Sequence, residues 1–379
     1  MKIYDVIILG GGASGLMCSA HLDKKLQSAV VDVNEKVGKK LKISGGGKCN
    51  ITNVHVSPQN FDGDSELLSS VFGVFSKEDL LDFLELNHVA LELRKERYYF
   101  CKNSSDAIIE VLKKKSSPTF LNHEVLSVQK EEDIFLIQTS QGTLKTKKLV
   151  VATGGKSYQS LGASDIGLKI AKDFGIKVKE FSPALVGMTL QKEQFWMKEL
   201  SGLSCFVKIE VANKILEEEM LFAHRGISGP VVLSASLYWQ KGNISIDFLP
   251  SNNIFELIKG SKKLVSSAIP LPKRLSKALL EALEVEDVEC KKITQEQKAK
   301  LSFIHAYQFA PAGNFGFTKA EASRGGVLAK ELNFYTMESL KVQNLYFIGE
   351  VVDVTGELGG YNFQWAFSSG VVCAKGLNN

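Results

Sequence analysis

Apolar runs and the points where they break divide this chain into segments. Tyr4–Leu9 (YDVIIL) is a short continuous apolar run, the pattern of a strand buried on both faces. It breaks at Gly10-Gly11-Gly12-Ala13-Ser14-Gly15, and an apolar pattern of helical period follows from Leu16 to Leu26. A second run, Ala29-Val30-Val31, ends at Asp32. Residues 76–115 carry a mostly helical pattern, with Ser76 and Ser104 placed as N-caps. Glu124–Gln129, Phe135–Thr139 and Thr143–Lys147 alternate like three strands, and an apolar strand then ends in Ala152-Thr153-Gly154-Gly155. Asp165–Gly175 reads as a helix capped by Asp165 and ended by Gly175.

From about Pro183 the pattern changes. Short β-like runs at Val186–Leu190, Cys205–Val211, Ile215–Phe222 and Ile244–Leu249 predict an antiparallel insert, and residues 252–301 look helical, with a loop at Pro270 and Pro272. From about Phe317 the pattern of the N-terminal third returns. Leu345–Glu350 reads as another buried strand ending in glycine and an acid, and an apolar helix closes the chain from about Tyr361 to Leu377. The first domain is therefore expected to be discontinuous, left by the insert and completed by the C-terminal segment.

Composition changes this picture little. The chain has 379 residues, 44% of them apolar and 23% charged, as in an ordinary globular protein of two or three domains. A net charge of +4 with scattered Lys and Arg gives no coherent basic–aromatic stripe, which argues against nucleic acid as partner. The six cysteines share no C-x-x-C spacing, so neither a metal site nor a disulfide framework is read, and a cytoplasmic protein is expected. No run is long enough to span a membrane.

The chemistry begins at the first break. Strand, glycine turn and helix are the context in which G-x-G-x-x-G binds a dinucleotide. Gly10 permits the tight turn, Gly12 lets backbone approach a pyrophosphate, and Gly15 lets the helix pack on the strand. Ala13 and Ser14 open that helix, whose free N–H groups face the phosphates. Asp32 stands roughly 20 residues further on, where an acid bonds ribose hydroxyls. The polar loop Gly38–Asn53, with Lys40, Ser44, Gly45, Gly46, Lys48, Cys49 and Asn50, reads as wrapping a cofactor beyond its pyrophosphate. No second G-x-G-x-x-G is present. NAD(P)H is therefore expected as a transient electron donor without a domain of its own.

Six motifs in order, Gly10–Gly15, Ser44–Asn53 (SGGGKCNITN), Val151–Gly167, His224–Pro230 (HRGISGP), Thr336–Ser339 (TMES) and Gly349–Gly370, resemble the bacterial aminoacetone oxidase family of FAD-binding flavoproteins, which includes bile-acid enone reductases. The resemblance implies an α/β fold: a Rossmann-like FAD-binding domain at 1–184 and 317–379, an inserted antiparallel β-barrel at 185–251 and 302–316, and a small helical subdomain at 252–301. The family's Thr-x-Gly-Gly-Val is here Ser323-Arg324-Gly325-Gly326-Val327, which keeps the hydroxyl and introduces Arg324.

FAD is the implied cofactor; it carries the redox chemistry while the protein binds, orients and polarises it. Thr153, Gly154 and Gly155 are expected along its adenosine half, with Gly326 and Gly349 at the returning strands. Glu350 is expected at the ribityl or its neighbouring phosphate. Gly359, Gly360, Tyr361 and Asn362 are expected at the pyrimidine end of the flavin, where a helix N-terminus stabilises the charge of the reduced ring. His224 and Arg225 are the catalytic candidates, the first as proton donor and the second as a site for an anionic substrate. Cys49 is read as a small packed residue.

The expectation is an FAD-dependent oxidoreductase that uses NAD(P)H to reduce an activated C=C or C=O of an apolar small molecule, with neither nucleic acid nor membrane as partner. The rivals are an amine oxidase that uses oxygen, an RNA-modifying flavoprotein and a non-catalytic flavin-binding protein.

Overall fold

The computed structural model describes residues 2–379, which fall into two compact units, one of residues up to Pro183 together with Glu321–Asn379, the other Ala184–Ala320. The first is built on a seven-stranded sheet. Strand β1 (Ile3–Leu9) is followed by helix α1 (Ala13–His21) and strand β2 (Ser28–Val31), and β1 and β2 pair in parallel. On its other side β1 pairs in parallel with the strand Gly142–Val151, from Ile3 opposite Lys145 to Leu9 opposite Val151. Val6, Ile7, Ile8 and Leu9 are fully buried, which is why β1 is apolar without alternation.

Gly142–Val151 changes partners along its length. Its first half pairs antiparallel with Ile134–Thr139, part of the expected three-strand meander, and its end pairs in parallel with Leu345–Phe347. The strand that opens the C-terminal segment thus completes the sheet begun at Ile3. The last helix, Tyr361–Asn378, packs against α1 so tightly that a β-carbon on Gly370 would lie 2.6 Å from the Ser14 carbonyl oxygen. The discontinuous Rossmann-like domain expected from the sequence is present.

Two local expectations are corrected. Residues 76–115 are not one helical stretch: Lys77–Leu86 and Asp106–Lys115 are helices, but Leu91–Arg94 and Tyr98–Cys101 form a hairpin between them. Ser76 does cap, accepting the Asp79 N–H, whereas Ser105 stands at the second cap and Ser104 accepts the Asp106 N–H from one position before it. The glycine-rich loop is likewise more ordered than expected. It forms helix α2 (Lys39–Gly47), kinked at Ser44–Gly46, and then strand β3 (Asn50–Asn53), which pairs with Tyr98–Cys101.

The second unit holds a seven-stranded antiparallel sheet in the order Tyr307–Phe309, Ile244–Asp247, Ser204–Val211, Lys214–Ala223, Gly226–Ser228, Met188–Thr189, Gly313–Asn314. Its inward residues alternate along the strands: Cys205, Val207, Ile209 and Val211 are buried, whereas Ser204, Phe206 and Glu210 are exposed. Proline at the first helical position starts Pro230–Tyr238, and amphipathic Lys273–Ala282 buries Leu275, Leu279 and Leu280. Among the described residues no helix is long and apolar enough to cross a membrane.

Leu149 is fully buried at the point where Gly142–Val151 joins Ile7 on one side and Leu345 on the other. Leu149→Ala should cost about 2–5 kcal/mol, read as a lower urea midpoint for the loss of far-ultraviolet circular dichroism.

Candidate functional site

Every candidate cofactor residue lies in the first unit, on segments that touch one another. Gly10 ends β1 beside Ala152, where a β-carbon would stand 2.3 Å from the Ala152 carbonyl oxygen. Gly15 faces back onto the turn, its own β-carbon position only 1.9 Å from the Gly10 carbonyl oxygen. Gly12 differs: it is the N-cap of α1, and nothing lies within 4 Å of the place a β-carbon would take. Gly10 and Gly15 therefore serve the fold, while Gly12 leaves bare backbone facing open space. Ala13 and Ser14 form the first turn of α1, and Ser14 is buried against Gly349.

Asp32 braces the turn. One carboxylate oxygen accepts the Gly11 N–H at 2.7 Å and the other accepts the Asn34 N–H at 2.8 Å. Each oxygen keeps a further lone pair for a ribose hydroxyl. Gly38 N–H donates to the Gly11 carbonyl at 2.8 Å, so α2 starts on the same turn. From α2, Lys40 Nζ reaches Glu350 Oε2 at 2.7 Å. Glu350 Oε1 accepts the Ser323 N–H at 2.7 Å, and Gly154 and Gly155 stand beside the same carboxylate. Ser323 Oγ in turn accepts N–H groups from Lys156 at 2.8 Å and Ser157 at 2.9 Å. Gly326 lies on the Val351–Asp353 backbone. Arg324 donates from Nε to Asp62, and the side chain is mostly buried in doing so. Nearby, burial pushes the Asp353 carboxyl up, partly offset by Lys179 and Arg324 and reinforced by Asp62.

At the kink of α2, Ser44 Oγ donates to the Leu41 carbonyl at 2.9 Å, and Gly45 and Gly46 take the left-handed turn that leads into Lys48. Lys48 Nζ stands 3.7 Å from Glu92. Cys49 is fully buried, and burial pushes its thiol up to about 12; Cys101, packed in the same cluster, is pushed up to about 11. Both are unreactive thiols in the folded chain.

The last segment arrives at β3. Gly360 has φ +91°, and a β-carbon there would meet the Thr52 backbone at 2.7 Å, so only glycine fits. Asn53 Nδ2 donates to the Gly359 carbonyl at 3.1 Å, and Thr52 Oγ1 donates to Gln364 Oε1 at 2.6 Å in the buried interior. Tyr361 is buried, which pushes its phenol up, while a hydrogen bond from Arg97 pulls it partly back. Asn362 is committed to the turn: its side chain accepts the Gly356 N–H and donates to the Gly356 carbonyl, both at 2.9 Å. The helix therefore offers backbone N–H groups, not the Asn362 amide.

The set suits a long anionic dinucleotide. α1, α2 and Tyr361–Asn378 have no acidic residue in their first turns, so each N-terminus is free to favour negative charge. Thr153 Oγ1 and Asn50 Oδ1 are buried, the former against Gly167, so neither side-chain oxygen opens onto the cleft. The open backbone at Gly12 and the three helix N-termini fit FAD. His224 and Arg225 belong to the second unit, exposed at the turn between Lys214–Ala223 and Gly226–Ser228, with the Arg225 guanidinium 5.2 Å from the Phe315 ring centroid. A feature that the sequence pattern does not disclose is the hairpin Leu91–Cys101, whose rings press on Gly45 and Gly359. The run Tyr98-Tyr99-Phe100 is its available signal, since aromatic residues favour strands.

Comparison with known proteins shows the family. The model of the HI0933-like protein Rossmann domain matches residues 4–376. A protein of Escherichia coli named ribosomal RNA dihydrouridine synthase is 38% identical, over 100% of this chain and 98% of its own length. A 3-dehydro-bile acid delta(4,6)-reductase of Clostridium scindens is 26% identical over 97% of each. In fold, the chain resembles a 3-ketosteroid delta1-dehydrogenase of Sterolibacterium denitrificans, with a TM-score of 0.53 and 11% identity over the whole of both chains.

Two outcomes test the site. Gly12→Val should lose visible flavin absorbance per protein while the apoprotein keeps its melting temperature; Gly15→Val should lower that melting temperature, because its side chain strikes the Gly10 carbonyl. The buried thiols set a pH dependence. Cys49 and Cys101 keep their protons in the folded chain to about 12 and about 11, against an ordinary value of 9.0. The unfolded chain therefore loses those protons first, so unfolding free energy should fall as pH rises from 9.0 toward 11. Replacing both with Ala should flatten that slope in urea titrations.

Proposed function

We propose, from the premise that the chain belongs to the HI0933-like Rossmann family and is an FAD-dependent oxidoreductase, that its substrate is a uridine of RNA. The reaction would add two electrons and two protons across the C5=C6 bond of the uracil ring, with NAD(P)H as the electron source. The observation that carries this reading is the 38% identity, end to end, with a protein named for dihydrouridine formation in ribosomal RNA. The small-molecule expectation drawn from the sequence shares the underlying chemistry, because C5=C6 of uracil is conjugated with the C4 carbonyl and is an activated C=C. What changes is the partner: RNA in place of an apolar small molecule.

Bound FAD supplies the two-electron chemistry. The chain's own residues bind and orient it. Gly12 to Ser14 present backbone N–H groups to the pyrophosphate, and Asp32 takes the adenosine ribose. Lys40 adds positive charge beside Glu350. The first-turn N–H groups of Tyr361 and Asn362, which lie ahead of the first intrahelical bond from Gln364 to Gly360, stabilise negative charge on the reduced ring without rearrangement. His224 and Arg225, on the second unit, we keep as the candidate proton donor and the candidate anion-binding residue.

The identity with the bile-acid reductase supports a second reading, reduction of a steroid enone. One experiment separates the two. Unmodified ribosomal RNA is incubated anaerobically with the flavin-loaded protein and NADPH or NADH, digested, and read by mass spectrometry for a uridine that has gained two hydrogens. Formation of dihydrouridine is expected. Its absence, with a bile-acid enone consumed in parallel, would transfer the assignment to the second reading. His224→Gln should slow dihydrouridine formation by about a hundred-fold or more while leaving flavin content at the wild-type level.

A further inference from the structure

The hairpin Leu91–Arg94 with Tyr98–Cys101 has two unlike faces. Its register sets Leu91 opposite Cys101 and Leu93 opposite Tyr99 on one face, and Glu92 opposite Phe100 and Arg94 opposite Tyr98 on the other. The first face is structural: Cys101 is fully buried, and Leu91 packs into the cluster that holds Cys49 and Ile51. The second face does not close on a core. It lies over the glycine turns of the cofactor site. Phe100 Cε1 is 2.7 Å from the β-carbon position of Gly45, and Tyr98 Cε1 is 2.7 Å from that of Gly359.

Cations sit on these rings. The Arg94 guanidinium is 4.6 Å from the Phe100 ring centroid and that of Arg97 is 5.3 Å from the Tyr98 centroid. Lys48, at the end of α2, stands 3.7 Å from Glu92, the carboxylate that also meets Arg94. Among the described residues Arg94 has a single carboxylate partner, Glu92, at 3.1 Å, and its side chain remains 35% exposed. A guanidinium held over an aromatic ring and still 35% exposed can receive a nucleobase, and its charge also meets a phosphate. A fold-stabilising role alone does not account for this: an ion pair of such exposure contributes about 0–1 kcal/mol.

We infer that this face is where the RNA strand docks, a base stacking on the outer side of Arg94 while Arg94 and Lys48 neutralise backbone phosphates beside the reduced uridine. The inference rests on the RNA reading above. Alternation along the folded hairpin brings Arg94, Tyr98 and Phe100 to one side, with Glu92 beside them, a juxtaposition that the linear sequence does not display.

The test uses the full-length, FAD-loaded protein and a fluorescein-labelled single-stranded RNA containing uridine, with binding followed by anisotropy across a salt series. Arg94→Glu is expected to weaken binding by about ten-fold or more at low salt and to reduce the slope of log affinity against log salt by about one. Arg94→Lys is expected to keep the slope and lose part of the affinity, because an ammonium has no plane to stack on. Visible flavin absorbance per protein reports that each variant has folded. If Arg94→Glu binds RNA like the wild type, the inference falls and the RNA reading stands. If inorganic polyphosphate competes as well as RNA of equal charge, the stacking role falls. If the wild type neither binds RNA nor forms dihydrouridine, the functional reading fails and takes this inference with it.

Discussion

Two backbones cross at the start of the last helix with no space for a β-carbon between them. Gly360 passes within 2.7 Å of Thr52 by that measure, and much of the cofactor site depends on the approach. It brings the first turn of Tyr361–Asn378 up to β3, where Asn53 holds the Gly359 carbonyl. The buried chain of hydrogen bonds from Thr52 to Gln364, from Gln364 to Ser368 and from Ser368 to the Phe75 carbonyl fixes the helix in rotation. Further along, Gly370 admits Ser14, which ties the same helix to the dinucleotide turn. Polar groups this deeply buried are costly unless every partner is present. The network therefore selects one placement of the helix over the alternatives that an apolar surface alone would accept.

Charge in the site is arranged on the same principle. Glu350 is mostly buried, and both of its oxygens are engaged, one by Lys40 and one by the Ser323 N–H. A buried carboxylate without such partners would be strongly disfavoured. Its engagement links three segments distant in sequence: α2, the turn after Val151 and the strand Ala322–Val327. Arg324, the departure from the family pattern, is accounted for by Asp62, with which it is ion-paired. Arg324 thus brings a charge pair to the strand that carries Gly326, and its partner lies on the short strand Phe61–Asp62 that pairs with Thr355–Gly356.

The parts legible in the sequence are those governed by local pattern. β1, the glycine turn and α1 declare themselves because burial on both faces demands an unbroken apolar run and the turn demands glycine. The closing helix shows itself by Gly359-Gly360 before a long apolar stretch. The hairpin at 91–101 does not, since each of its strands is four residues long and helical patterns flank it on both sides. α2 has the sequence of a loop because it buries only Leu41, which leaves no amphipathic stripe to detect. The partners of Glu350 and Asn362 are illegible for another reason. Lys40 lies 310 positions away, and the choice of Gly356 over a ligand depends on how the turn closes in space.

The interrupted layout of the first unit has a consequence for biosynthesis. Leu345–Phe347 and Tyr361–Asn378 are made after the rest of the first unit, yet they complete the sheet and cover α1. At about 5–20 residues per second, the dinucleotide turn exists for roughly 17–70 seconds before the helix that covers α1 does. Throughout that interval the buried face of α1, including Leu16, Met17 and Cys18, has no partner from the C-terminal segment. A cofactor cradle built from both ends of the unit is complete only once that last helix has been made.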